Sequence, residues 1–169
     1  DNASVSDSTS AMPIRASAGV RRATAVLAVV VLVQITWGAF VAGLRAGYLF
    51  NTFPTMGGEW IPDGLGALDG WWANLVSNRV TVQFVHRMLA WLLAAGVIGW
   101  WVAARRQPGL GEAPRWMLWA ILLQFALGVA TILGMPRHPV LVGTLHQAGG
   151  LTVFGVLVWT LWRLRRAET

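Results

Sequence analysis

Two histidines lie inside stretches that are otherwise apolar. The stretch VTVQFVHRMLAWL places His86 beside Arg87, and the stretch GTLHQAGG surrounds His146. An imidazole can ligate a metal, carry a proton or form a hydrogen bond between helices, and ionisable groups in such surroundings are usually functional. The chain contains no cysteine, which excludes thiolate ligands, disulfides and cysteine nucleophiles. Any redox chemistry therefore requires a bound cofactor.

The composition is that of a membrane protein. Of the 169 residues, 56% are hydrophobic and only 12% are charged, and the mean hydropathy is +0.57. The net charge is +6, but the arginines flank apolar stretches instead of covering one exposed face. A polyanion binder needs such a face, so the composition argues against a nucleic-acid partner and for a lipid environment.

Four apolar stretches are long enough to cross a bilayer. We therefore expect an all-α fold, a polytopic membrane four-helix bundle. The predicted spans, each with the roughly 20 residues that a bilayer requires, are about residues 23–44, 80–103, 116–134 and 140–162, and a long loop, residues 45–79, joins the first two.

The first residues, DNASVSDSTSAMPIRASAG, are rich in Ser, Ala and Asp and contain no apolar stretch. This composition predicts that residues 1–22 form a disordered tail or a linker between two halves. Residues 23–169 are then the four-span domain. Because the first residue is Asp and not Met, we also expect the chain to be a piece of a longer protein.

Arginines cluster on one side of the predicted bundle. Basic residues near spans stay in the cytoplasm, so we expect both termini to be cytoplasmic and residues 45–79 to lie outside. In that loop, GALDGWWANLVS predicts a short helix in the membrane interface, where tryptophan is enriched. The arginines that support this orientation are Arg15, Arg21, Arg22, Arg105, Arg106, Arg115, Arg163, Arg165 and Arg166.

The first and third spans share a sequence pattern. Aligning LVQITWGAFVAG with LLQFALGVATIL places Gln34 over Gln124 and Gly38 over Gly128. The second and fourth spans each carry one histidine near the outer end. The chain is therefore predicted to be a pseudo-two-fold repeat of a helix pair, with one histidine in each pair.

The two histidines are predicted to lie at the same depth. At ~1.5 Å per helical residue, His86 and His146 are both about 10 Å below the outer face. Their spans run in the same direction and are diagonal neighbours, with axes about 11 to 14 Å apart. This gap suits two axial imidazoles with a flat heme macrocycle between them, which favours electron transfer. The alternative is that each histidine is a hydrogen-bonded polar residue in a helix interface.

Residues near the histidines fit the heme hypothesis. Ala90, Gly149 and Gly150 are small residues on the ligand faces and would leave room for a porphyrin. Arg87 either reaches outward to lipid headgroups or binds an anion such as a heme propionate, and both alternatives stay open.

Two further features have less specific meanings. The stripe of Ala39, Gly43 and Gly47 has the spacing that lets helices approach closely, and a heme-facing surface is the alternative. His138 lies between prolines in a tight turn, where we expect a surface residue, at most at the mouth of the site.

The chain resembles the heme A synthases, polytopic enzymes of bacterial plasma and mitochondrial inner membranes. The resemblance rests on the segments QITWGAFVAGLRAG, NTFPTMGGEWIP, VQFVHRMLAW and LGVATILGMPRHPVLVGTLHQAGGL. It implies an oxidoreductase of heme A biosynthesis, which oxidises a ring methyl of heme O to the formyl group of heme A for cytochrome oxidase assembly. Family members have eight spans in two similar halves, one for heme O and one that holds heme b.

One departure identifies which half the chain resembles. The substrate half of the family carries a glutamate three residues before its first histidine, and this position is Gln83 here. The resemblance therefore implies the C-terminal half, with His86 and His146 as axial ligands of heme b iron. Two further roles are inferred from position alone: Arg87 as a cofactor-binding residue, and Gln147 as a residue that supports the site.

This half has no catalytic residue of its own, so we do not expect it to complete the reaction alone. The implied partners are membrane lipid, a second half that binds heme O, or further copies of the chain. The implied location is the bacterial plasma membrane, with the heme site near the periplasmic face. Two alternatives remain, a stand-alone bis-histidine b-type cytochrome and a non-enzymatic bundle with a polar seam of histidine and arginine.

Overall fold

The computed structural model describes residues 16–166, and this part of the chain is helical apart from its connecting loops. The described part contains no β-strand, only one isolated bridge between Met56 and Glu59. Four of its helices are long and apolar enough to cross a membrane, which confirms the all-α membrane fold. The helices are α1 (Ala18–Gly43), α2 (Trp71–Ser77), α3 (Arg79–Ala104), α4 (Ala113–Gly134) and α5 (Pro139–Arg166).

The two outermost helices extend beyond the predicted spans. The hydroxyl of Ser17 accepts a hydrogen bond from the backbone N–H of Val20, so α1 begins at Ala18. Residues 18–22 are therefore helical, although they fall in the predicted tail, while residues 1–15 lie outside the described part. At the other end α5 continues to Arg166, because a helix does not need to stop where its apolar stretch ends.

The long helices are arranged in a ring. Helix α1 packs against α3 and α5, and α4 also packs against α3 and α5. Helices α3 and α5, which carry the two histidines, are therefore diagonal neighbours, as predicted. The two pairs of helices that follow each other in the chain, α1 with α3 and α4 with α5, form the two repeats.

The core fills only half of the bundle. We call the end that carries residues 105–112 the terminal end, and the opposite end, with residues 44–70 and 135–138, the loop end. Buried side chains concentrate toward the terminal end, where the indole of Trp100 donates a 2.8 Å hydrogen bond to the hydroxyl of Thr24. Other members of this core are Leu27, Val97, Met117, Leu157 and Leu164.

The short helix α2 lies at the loop end. It follows Gly70, whose φ of 85° suits glycine. The side chain of Asn74 accepts a hydrogen bond from the backbone N–H of Leu68 at 3.0 Å and donates one to the Leu68 carbonyl at 2.6 Å, which fixes the start of the helix. Trp71 and Trp72 are exposed, with relative accessibilities of 73% and 59%. The short helix predicted in GALDGWWANLVS is confirmed over Trp71–Ser77.

The packing role predicted for the small-residue stripe is wrong at Gly43. A methyl group added at Gly43 would have no atom within 4 Å, so no helix approaches there. Gly47 lies outside α1, in a turn of 3-10 helix, and Ala39 lines a cavity. The alternative meaning, a surface facing the site, agrees with the positions of Ala39 and Gly47.

Candidate functional site

The two histidines face each other across the middle of the loop half of the bundle. The ring centres of His86 on α3 and His146 on α5 lie 6.3 Å apart, and the ring planes are nearly perpendicular, at 85°. The structure thus brings together the two residues that the sequence placed at equal depth. Both rings are partly buried.

Each histidine is held by a glutamine from the neighbouring helix. The amide nitrogen of Gln34 donates to the backbone carbonyl of His86 at 3.2 Å and lies 3.5 Å from the ring Nε2. The amide nitrogen of Gln124 donates to the carbonyl of His146 at 3.0 Å and lies 3.2 Å from the ring Nδ1. These are the glutamines that the repeat aligned, so each repeat carries the same interhelical contact.

A glycine makes room for each imidazole. A Cβ atom at Gly38 would lie 3.2 Å from Cε1 of His86, and one at Gly128 would lie 3.1 Å from Cε1 of His146. Both distances are shorter than ordinary van der Waals contact. The repeated Gln and Gly therefore have one shared role, which is to seat a histidine from the adjacent helix.

A cavity of about 700 Å³ surrounds the pair. Its floor is formed by apolar side chains that belong to the core, and its upper wall includes the long loop. No Asp or Glu lines it in the described part of the chain. Its polar lining consists of Gln34, Gln83, His86, Arg87, Gln124, His146, Gln147, Thr131, Arg45 and Tyr48.

The geometry of the pair fits a heme. Two metal–imidazole bonds of about 2 Å each, with about 1 Å from each nitrogen to its ring centre, place axial rings about 6 Å apart. The Nδ1 atom of His86 is buried and has no hydrogen-bond partner in the described residues, a costly arrangement that a ligand would relieve. The described residues contain no cluster of three or more His, Cys, Asp or Glu that could hold a metal ion. Two imidazoles that face each other across a cavity are a ligand set that heme iron takes from proteins.

The small residues near the histidines have different roles from one another. Ala90 and Gly150 line the cavity, as predicted. Gly149 does not: a Cβ there would collide with the Gln124 amide and lie 2.8 Å from a methyl of Leu127. Its small size lets α4 and α5 approach each other, so the prediction that it leaves room for a porphyrin is wrong.

Arg87 has partners that the sequence did not predict. It is only 7% exposed, and its guanidinium donates from Nη2 to the carbonyl of Phe50 at 2.6 Å. From Nη1 it donates to the carbonyls of Thr52 at 2.9 Å and Thr55 at 3.3 Å. It therefore does not reach outward to lipid. Its Nε has no partner in the described residues, and the side chain lines the cavity.

The two remaining predicted residues lie at the edge of the site. Gln147 is exposed and lines the cavity. His138 is exposed in the turn between α4 and α5 and does not line the cavity, as expected for a surface residue.

An aromatic cluster was missed by the sequence reasoning. Phe53 of the long loop stacks on Trp91 of α3 with ring centres 5.9 Å apart and planes at 16°. Phe125 of α4 meets Phe53 at 6.1 Å and Trp91 at 4.7 Å. All three line the cavity. The only sequence signal was the NTFPTM segment, which was noted for its resemblance and not for a contact.

Comparison with known proteins gives a consistent result. The family model COX15-CtaA, described as cytochrome oxidase assembly protein, matches residues 2–167. A heme A synthase of Parvibaculum lavamentivorans is 42% identical over 148 residues, 88% of this chain and 42% of that protein. A heme A synthase of Rhizobium etli is 45% identical over 155 residues, 89% of this chain and 40% of that protein.

A third similar protein, a heme A synthase of Nitrosospira multiformis, is 38% identical over 151 residues, 88% of this chain and 42% of that protein. The chain thus spans about two fifths of the length of these curated relatives. No solved structure matches the chain at a significant level.

Proposed function

Because the chain belongs to the COX15-CtaA family of cytochrome oxidase assembly proteins, we propose that it forms the part of a heme A synthase that holds a heme b cofactor. His86 and His146 would hold the heme iron through their imidazole rings. A heme held by two histidines supplies one-electron transfer when it is bound. The chain's own residues bind the cofactor, orient the imidazoles and exclude water.

The observation that carries this proposal is the seating of the two imidazoles. Their ring centres are 6.3 Å apart, and the same pair of residue types, Gln and Gly, supports each of them from the adjacent helix. A polar residue that served only to join helices would not need a matched partner across an open cavity. The duplicated support indicates that both rings serve one ligand.

Arg87 completes the proposed cofactor site. Its Nη atoms bind the loop, while Nε has no partner in the described residues and the side chain borders the cavity. A heme propionate that approaches this corner would accept a charge-assisted hydrogen bond from Nε. Arg87 is therefore proposed to bind cofactor and loop together.

The oxidation of heme O is proposed to occur outside this bundle. No carboxylate lines the described cavity, and Gln83 stands where the resemblance implies a glutamate in the substrate half. A substrate site with its own glutamate must then come from another half of the protein or from another subunit. The heme held by this chain would supply electrons to that site.

The proposed location is the bacterial plasma membrane. Among the described residues more flanking arginines lie at the terminal end than at the loop end, which carries only Arg45, Arg79 and Arg137. The terminal end is therefore proposed to face the cytoplasm and the heme site to lie toward the periplasm. Membrane lipid is the surrounding partner, since the helices expose apolar side chains such as Val29, Leu92 and Leu123.

The first test is the identity and amount of bound heme. We expect residues 1–169, purified from membranes in mild detergent, to carry one heme b per chain in a pyridine hemochrome assay. Protein that is folded and helical by circular dichroism but contains no heme would overturn the cofactor assignment.

The second test is the reaction. Deleting the gene that encodes the chain, in a strain without a paralogue, should abolish heme A in membranes and cause heme O to accumulate. Residues 1–169 expressed alone in that strain should bind heme b without restoring heme A. Normal heme A in the deletion strain would instead indicate a stand-alone cytochrome, and restored synthesis by residues 1–169 would contradict the assignment of Gln83.

A further inference from the structure

The NTFPTM segment lies against the cavity, and nothing in the proposed electron transfer requires it. We call residues 50–55 the clasp; they are Phe50 and the first five residues of that segment. Its carbonyl groups at Phe50, Thr52 and Thr55 all accept hydrogen bonds from the one guanidinium of Arg87. Three acceptors from one short segment converge on a side chain of α3.

Two further contacts fix the clasp. The amide nitrogen of Gln83 donates to the carbonyl of Phe50 at 3.1 Å. The amide nitrogen of Asn51 donates to the carbonyl of Gly47 at 2.9 Å and to the carbonyl of Ile132 on α4 at 3.1 Å. The clasp therefore spans the gap between α3 and α4 at the loop end.

The clasp carries Phe53 into that gap. Phe53 stacks on Trp91 and meets Phe125 edge to face, so the three rings form a continuous wall between α3 and α4. The cavity lining on α1 and α5 includes the small residues Ala39, Gly143 and Gly150. The α3–α4 side of the cavity is instead closed by aromatic rings, one of which comes from the long loop.

The clasp and Arg87 depend on each other. Arg87 pairs with no carboxylate in the described residues, and its charge is stabilised by carbonyl dipoles of the clasp. Moving the clasp away would leave a buried cation without acceptors, which is costly at membrane depth. Arg87 therefore favours the closed position of the clasp.

We propose that Phe53 is a further cofactor-binding residue, which retains the macrocycle by closing the α3–α4 side of the cavity, and that Gln83 and Arg87 are positioning residues that hold Phe53 there. This inference rests on the proposed heme site. It assigns a chemical reason to Gln83: an amide can donate to the carbonyl of Phe50, whereas an ionised glutamate can only accept.

The main experiment measures heme loss from the purified holoprotein to an excess of an apoprotein scavenger. Phe53→Ala removes the ring from the wall, and we expect heme to dissociate about five- to tenfold faster, with the low-spin spectrum retained before transfer begins. Phe40→Ala is the matched control, because Phe40 pairs edge to face with Trp37 and does not line the cavity. Equal rates in wild type, Phe53→Ala and Phe40→Ala would overturn the inference.

The positioning residues are tested with isosteric or charge-conserving changes. Gln83→Glu keeps the shape and removes the donor, so heme loss should accelerate, while Gln83→His or Gln83→Asn, which can still donate, should recover part of the wild-type rate. Arg87→Lys keeps the charge, but a lysine ammonium cannot donate to the three carbonyls in the way that the forked guanidinium does. The rate of heme loss from this variant should therefore lie between those of wild type and Phe53→Ala. Wild-type rates in both Gln83→Glu and Arg87→Lys would show that these residues do not hold the clasp.

A readout without heme separates the clasp from the cofactor assignment. The chain has no cysteine, so Ala90→Cys introduces a single thiol in the cavity lining. In heme-free protein, adding Phe53→Ala or Arg87→Lys should speed labelling of this thiol by a water-soluble maleimide several-fold, and adding Phe40→Ala should not. Unchanged labelling would overturn the positioning of Phe53 by the clasp even if heme binds. Faster labelling in a chain that binds no heme would support that positioning, but it would overturn the proposed function and with it the cofactor-binding role of Phe53.

Discussion

At the scale of single residues, the site depends on polar groups that bond across helices. Gln34 and Gln124 each donate a hydrogen bond to the backbone carbonyl of a histidine. Each bond fixes the position of one helix along the axis of its neighbour. In lipid there is no water to replace a lost partner, although measured interhelical hydrogen bonds are modest in strength. The glutamines therefore contribute more to the position of the rings than to total stability.

Replacing either glutamine should have a small energetic effect and a clear spectroscopic one. Gln124→Leu and Gln34→Leu should each lower the free energy of unfolding by roughly 0.6 to 1.7 kcal/mol and alter the electron paramagnetic resonance signal of the heme. Denaturation in mixed micelles measures the first effect. Thr36→Val is the control, since the Thr36 hydroxyl donates a hydrogen bond to the carbonyl of Leu32 in its own helix. An unchanged resonance signal in both glutamine variants would contradict this role.

The histidine-facing glycines allow a second prediction at the residue scale. A Cβ at Gly128 would lie 3.1 Å from the His146 ring, so Gly128→Ala should displace that ring and reduce the heme content of purified protein. Gly43→Ala is the control, because no atom lies within 4 Å of the added carbon. Equal heme content in both variants would show that the tight contact at Gly128 does not affect heme binding.

At the scale of helices, α4 and α5 are in tight contact where Gly149 faces Gln124 and Leu127. This contact holds the second repeat together and at the same time orients the Gln124 amide toward His146. The sequence placed Gly149 on the ligand face, but helical spacing alone does not say which neighbour a face meets. For this reason the spacing could not distinguish a Gly149 that lines the cavity from a Gly149 that contacts α4.

Adding one methyl group at this contact should separate the two helices. Gly149→Ala should destabilise the bundle by about 1–3 kcal/mol, the usual cost of overpacking a close contact. Gly155→Ala, on the same helix with open space around it, should have no comparable effect. Thermal denaturation followed by circular dichroism measures the difference, and equal melting temperatures would contradict the packing role of Gly149.

At the scale of the whole molecule, the bundle divides into a packed terminal half and a hollow loop half. The spans, the repeat and the pairing of His86 with His146 could be predicted, because hydropathy and helical rise act along the chain. The partners of Arg87 and the wall around Phe53 could not be predicted. Both depend on contacts between residues far apart in the sequence, such as the 32 to 37 positions that separate Arg87 from its carbonyl partners, and no local pattern predicts such contacts.

The packed half should support the fold without tuning the site. Thr24→Val removes the acceptor of the Trp100 indole and leaves a buried donor unpaired, which should cost about 1–3 kcal/mol. We expect the heme spectrum of this variant to match the wild type. A changed spectrum would show that the two halves are coupled more tightly than their packing indicates.

The central claim is that one heme iron is held by both histidines. The most direct measurement is the reduced-minus-oxidised absorption spectrum of the purified chain, taken for wild type, His86→Ala, His146→Ala and the exposed control His138→Ala. We predict a low-spin b-type signal in wild type and in His138→Ala, and its loss in each of the other two variants. A low-spin signal that persists unchanged in His86→Ala or His146→Ala would contradict the account.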